Sequence, residues 1–151
     1  DPKSADALSL LGQAQLGAGK LDDAERALRA AIAMRPDEAT AIALGFALAR
    51  GKKPEQALAV FGQVLTQSSS AASALYGAGV ASEDLGRPEQ ALVFYRRVLA
   101  LPAEGAQKAL VTELQREAKG RIDVLPQPAP GGSTSAAASA SASAAPRTPP
   151  R

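Results

Sequence analysis

The sequence predicts an all-α chain of 151 residues, a solenoid of antiparallel helix pairs followed by a disordered tail. Three observations carry that expectation. From Ser4 to Ile122 apolar residues recur at helical spacing, with no strand-like alternation of β-branched and aromatic residues. Pro54-Glu55-Gln56-Ala57-Leu58 recurs 34 residues later as Pro88-Glu89-Gln90-Ala91-Leu92, and a period of that size marks helix pairs that bury their apolar faces on one another. From Pro126 onward there is no Leu, Ile, Val or aromatic residue, so nothing offsets the entropy of ordering those residues.

Gly17 to Lys20, Pro36 with Asp37, Gly51 to Lys53, Ser68 to Ser70, Gly86 with Arg87, and Pro102 with Ala103 break the helical pattern into six segments. Pro54 and Pro88 stand at helix starts, where a missing amide proton costs nothing. The echo extends beyond the repeated pentapeptide. Phe61 maps to Tyr95, Val64 and Leu65 to Val98 and Leu99, and Gly45 to Gly79, while Gly12, Ala24, Leu28, Ala31 and Ile32 repeat the pattern 33 residues earlier. Three copies, about 5–38, 39–71 and 72–103, are therefore in register. Residues 104–122 read as a seventh helix with Ala106, Leu110, Leu114, Ala118 and Ile122 on one stripe. Such a half-polar helix suits a C-terminal cap, with Leu110 and Leu114 expected to be buried against the helix that holds Tyr95. The repeat domain then spans 1–125 and the Pro/Ala/Ser-rich tail or linker 126–151. Pro2 lies 34 residues before Pro36, so Asp1-Pro2 reads either as the closing dipeptide of a preceding repeat or as a proline leading the first helix.

Small residues where paired helices cross, a large residue beside them and a closing proline together resemble the tetratricopeptide repeat family. The first copy has Leu11-Gly12, Gly19, Ala24, Leu28, Ala31 and Pro36. The second has Leu44-Gly45, Ala57, Phe61 and Val64, and the third Gly79, Gly86, Ala91, Tyr95 and Val98. Departures are Ser69 near the place of a closing proline, and Leu8, Leu75, Gln15 and Ser82 at the family's aromatic positions in the first helix. The resemblance spans residues 5–103 and implies a right-handed superhelix whose first helices line a concave groove that binds peptides or protein segments. By register, the partner-binding residues are Ser9, Gln13, Phe46, Arg50, Tyr76, Val80, Glu83 and Asp84. The centre is apolar around Phe46, Tyr76 and Val80, with Arg50, Glu83 and Asp84 at one edge. The family's carboxylate clamp would fall on Ser9, Gln13, Ala43, Ser73 and Gly77, none of which is a cation able to pair a C-terminal carboxylate.

Composition narrows the function further. There is no Cys and no His, which removes thiolate chemistry and the commonest neutral-pH acid/base and metal ligand. Residues 1–125 hold 15 basic and 15 acidic side chains, so the net charge of +2 comes from Arg147 and Arg151 and no basic nucleic-acid footprint is expected. The longest apolar stretch, Ala39 to Ala49, is too short to span a bilayer, and no membrane contact is expected of this segment. Glu83 and Asp84 point about 100° apart on a helix and make a poor chelating pair. The sequence thus predicts a noncatalytic adaptor with a protein or peptide partner, no cofactor and no metal, as a monomer or with weak self-association. The alternative is a structural or self-assembly module within a larger multidomain or envelope-associated protein.

Overall fold

The computed structural model describes residues 2–126, and the expected tail lies outside the described residues apart from Pro126. The elements are α1 (Pro2–Gly17), α2 (Leu21–Met34), α3 (Glu38–Arg50), α4 (Pro54–Gln67), α5 (Ala72–Asp84), α6 (Pro88–Leu99), a single 3-10 turn (Gly105–Gln107) and α7 (Lys108–Val124). No strand occurs among the described residues. Pro2 is the first helical residue of α1.

Each hairpin closes in the same way. Residue 19, 52 or 86 takes the left-handed conformation, and the next amide reaches back to a carbonyl of the last turn. These bonds run from Lys20 to Gln15, Lys53 to Leu48 and Arg87 to Ser82, all at 2.9 Å. They satisfy helix-terminal carbonyls that would otherwise lack donors. Two of the three positions are glycine, Gly19 (φ 75°) and Gly86 (φ 67°), whereas Lys52 holds φ 61° with a side chain.

Within each pair, a glycine on the first helix receives the large residue of the second. A Cβ on Gly12 would meet Leu28 at 2.5 Å, one on Gly45 would meet Phe61 at 2.5 Å, and one on Gly79 would fall inside the Tyr95 ring. Phe61 is gripped twice, because a Cβ on Gly77 of α5 would also fall inside its ring. The Phe61 ring thus lies between two backbones, fully buried, and Phe46 meets it edge-on at 5.2 Å.

The first helices α1, α3, α5 and α7 touch in succession, while the backbones of α2, α4 and α6 stay apart. Long side chains bridge the outer gap, as where Arg29 of α2 donates to Gln56 of α4 at 3.0 Å. The stack consequently curves, with the first helices on its inner wall.

The cap corrects one expectation. Leu110 is 46 % exposed, and the buried residues of α7 are Val111, Leu114 and Ala118. Ala106 lies in the 3-10 turn and is exposed. The rotation is set by Gln115, whose Nε2 donates to the Leu101 carbonyl at 2.8 Å beyond the end of α6. With that amide held against α6, the inward face becomes Val111, Leu114 and Ala118, and Leu110 turns to solvent.

The candidate partner-binding wall

At the N-terminal end of the wall, α1 and α3 are tied by a chain of hydrogen bonds whose direction can be assigned. Asp37 caps α3, accepting from the Thr40 amide at 2.9 Å and the Thr40 hydroxyl at 2.8 Å. Because Thr40 spends its proton on Asp37, its oxygen accepts from the Ser9 hydroxyl at 2.8 Å. The Ser9 oxygen in turn accepts from Gln13 Nε2 at 3.1 Å. The two Thr40 donors hold the Asp37 carboxyl below its ordinary range. Ser9 is therefore committed to joining two repeats, and of this pair Gln13 retains the amide groups able to face a ligand.

Arg50, expected at the edge of the groove beside Glu83 and Asp84, donates to the Leu16 carbonyl at 2.8 Å. It serves as a C-cap for α1 across the repeat boundary, where a cation also complements the helix dipole. Asp6 of α1 pairs with Arg35. Between them, Leu10 stands 67 % exposed, and Ile42, Ala43 and Phe46 are half-buried on α3.

Toward the other end the wall is shaped by α7. Tyr76 and Val80 pack on the cluster formed by Val111, Leu114, Ala118 and Tyr95, and the Tyr76 and Tyr95 rings lie 5.8 Å apart. Burial raises the Tyr76 hydroxyl above its ordinary pKa, and Glu117 of α7 adds to the shift. Glu83 pairs with Arg121 of α7 at 2.6 Å. Its other oxygen and the Tyr95 hydroxyl are both buried without a hydrogen bond of normal geometry. Burial chiefly, and then the adjacent Glu83 carboxylate, push the Tyr95 phenol far upward. Asp84 is exposed at the end of α5.

Tyr76, Val80 and Glu83 are thus brought together by α7, Ser9 and Gln13 form a second pair, and Phe46 lies between on α3. Arg50 and Glu83 serve separate contacts. Arg121, Glu117 and Thr40 were missing from the expected set. Glu117 and Arg121 were visible as an i, i+4 pair beside the α7 stripe, whereas Thr40 offered no signal until α1 and α3 were seen side by side. Among the described residues no cluster of three potential metal ligands occurs, and no helix is long and apolar enough to cross a membrane.

Stacked helix pairs with a continuous inner wall define a helical-repeat solenoid. The sequence profile of the tetratricopeptide repeat family matches residues 9–42 and 42–107, and the chain belongs to that family. No curated protein sequence matches significantly. Among solved structures, the first tetratricopeptide domain of human RPAP3 is similar at 22% identity, TM-score 0.66, over 82% of this chain and 95% of that one. The first such domain of Spaghetti (RPAP3), bound to the HSP90 peptide SRMEEVD, is 22% identical at TM-score 0.65, over 82% and 96% of the two chains. PcrH, in complex with the chaperone binding region of PopD, is 22% identical at TM-score 0.64, over 80% and 95%.

Proposed function

We propose that the chain is a noncatalytic adaptor whose inner wall holds an apolar, uncharged segment of another protein. One observation carries this reading. The wall presents Leu10, Ile42, Phe46 and Val80 with their apolar surface partly open, while nearby charges are spent internally: Asp6 on Arg35, Arg50 on Leu16 and Glu83 on Arg121. Apolar anchors flanked by polar groups are the chemistry of a segment-binding surface. Two similar folds hold a partner segment, which supports the reading in general but not the same ligand. A peptide ending in acidic residues and a carboxylate needs cations to pair it, and the family's clamp positions here hold Ser9, Gln13, Ala43, Ser73 and Gly77, none of them a cation. Ser9 is tied to Thr40, and the space at Gly77 is filled by Phe61.

Selection of peptides on the wild-type domain tests this directly. Enriched sequences should be apolar and poor in charge, with no preference for a free C-terminal carboxylate. Leu10→Asp, at a mostly exposed site, should keep the fold and weaken the selected peptides, and Phe46→Ala should cost roughly 1 to 4 kcal/mol of binding. Enrichment of acidic C-termini, or peptides indifferent to both substitutions in folded protein, would contradict it.

A further inference from the structure

The grooves between successive outer helices can be compared residue by residue. Behind the first turn of α3, a cavity of about 190 Å³ opens to solvent between α2 and α4, with Ile32, Ala41, Val60 and Val64 as its apolar lining and Gln63 at its edge. It lies between two repeats of the chain and not at either end of the stack. Thirty-four residues on, the places of Ala41, Val60 and Gln63 are taken by Leu75, Phe94 and Arg97. Leu75 is buried, and Phe94 packs against both halves of the core. Arg97 donates to the Ser69 carbonyl of the preceding loop at 2.8 Å. The chain thus fills its second groove with an aromatic ring and a guanidinium, and gives the first only a valine and an amide.

The rims differ as well. Asp37 and Glu38 stand at the first groove, where the second has Ala71 and Ala72. Asp37 commits Oδ2 to Thr40 and Glu38 commits Oε2 to Ser68, so each keeps an oxygen for another donor. Arg35, the cation acting on Asp37, is itself paired with Asp6. The space suits the missing ring, since an apolar cavity of about 150 Å³ accommodates benzene.

We infer that this groove is a second docking site, which takes from a partner protein what the chain supplies to itself one repeat later: an aromatic side chain over Ala41 and Val60, with a Lys or Arg close to it in sequence facing Asp37 and Glu38. The ring displaces water from apolar walls, and the cation makes charge-assisted hydrogen bonds at the rim. The site is separate from the inner wall, because α3 offers Glu38 and Ala41 to the groove and Ile42, Ala43 and Phe46 to the wall. One side chain in an open groove binds weakly, roughly millimolar for a short peptide. The groove therefore adds to the hold on a partner already tethered elsewhere.

Amide chemical shifts of the full chain, followed during titration with an amidated alanine-rich peptide bearing one Phe and one Arg three residues apart, test it. Shifts should centre on Ala41, Val60 and Val64, and should vanish when the peptide carries Ala in place of Phe. Val60→Phe, at a half-exposed position and in imitation of Phe94, should fill the cavity and weaken binding more than about tenfold. Gln63→Arg, at an exposed position, sets a second cation beside the peptide's own and should weaken it about threefold. Glu38→Gln should weaken the Arg peptide by a similar factor and leave unchanged a peptide with Gln in place of Arg. Leu10→Asp on the inner wall should alter none of these values, so failure of the groove and failure of the wall are told apart. No shifts at millimolar peptide, shifts confined to other surfaces, unchanged affinity in folded Val60→Phe and Gln63→Arg, or equal binding of a peptide with Glu in place of Arg would each overturn the inference.

Discussion

Phe61 and Tyr95 occupy the same place one repeat apart, and they are held differently. Phe61 is clasped by Gly45 of its own pair and by Gly77 of the next, so backbone lies against both sides of the ring. Tyr95 has Gly79 on one side, but its other neighbour is α7, which meets it with the side chains of Val111, Leu114 and Ala118. An interior repeat is packed by two copies of one template. The terminal repeat is packed by a helix that lies outside the template, and the buried hydroxyl of Tyr95 faces the Glu83 carboxylate without a hydrogen bond of normal geometry.

The largest effects should come from the interior ring. Phe61→Ala should cost about 3 to 5 kcal/mol in chemical denaturation, as for a fully buried aromatic whose walls cannot collapse. A loss below about 2 kcal/mol would mean that the two glycine-bearing helices close over the gap. Gly77→Ala forces a methyl group into the ring and should cost about 1 to 3 kcal/mol. Gly120→Ala on α7 meets open space and should instead stabilise by up to about 1 kcal/mol through helix propensity. Equal effects at the two glycines would erase the distinction between template packing and cap packing.

Tyr95→Phe tests the terminal ring. Its buried hydroxyl faces the Glu83 carboxylate without a hydrogen bond of normal geometry, so removing it should raise stability by about 1 kcal/mol. A loss of the same size would show that the hydroxyl bonds to Glu83.

The smallest effect belongs to the join between α1 and α3. The Asp37 carboxyl lies below its ordinary value of 3.8, so the folded state binds fewer protons than the unfolded one. The stability this contributes is complete above the unfolded pKa and is lost as pH falls through the folded one. Asparagine caps helices about as well as aspartate. Asp37→Asn should therefore leave stability at pH 7 within about 1 kcal/mol and flatten the loss expected for the wild type as pH falls from about 4 to 2. An unchanged acid limb would place the sensitivity elsewhere, with Glu25, also held low by Lys53, as the next group to substitute.

The helix pairs were legible because glycine, alanine and one large residue recur at fixed offsets and because sterics leave those offsets one packing solution. The face of α7 was not. Ala106 and Leu110 fit a four-residue stripe, but the helix begins only at Lys108, and the Gln115 amide turns Val111 inward in place of Leu110. The wall was legible as positions and not as commitments. Register alone brought Phe46, Tyr76 and Val80 to the inner side. That Arg50 would cap α1 and Ser9 would serve Thr40 depends on distances across a repeat boundary, which no local pattern encodes.

The central claim is that the inner wall, and not the outer surface, holds the partner segment. Backbone amide chemical shifts of the wild-type domain, followed while a selected apolar peptide is titrated in, test it most directly. Shifts should concentrate on α1, α3 and α5 around Leu10, Phe46 and Val80, with α2, α4 and α6 unmoved. Shifts gathered on the outer helices, with the residues around Phe46 silent at saturation, would contradict it.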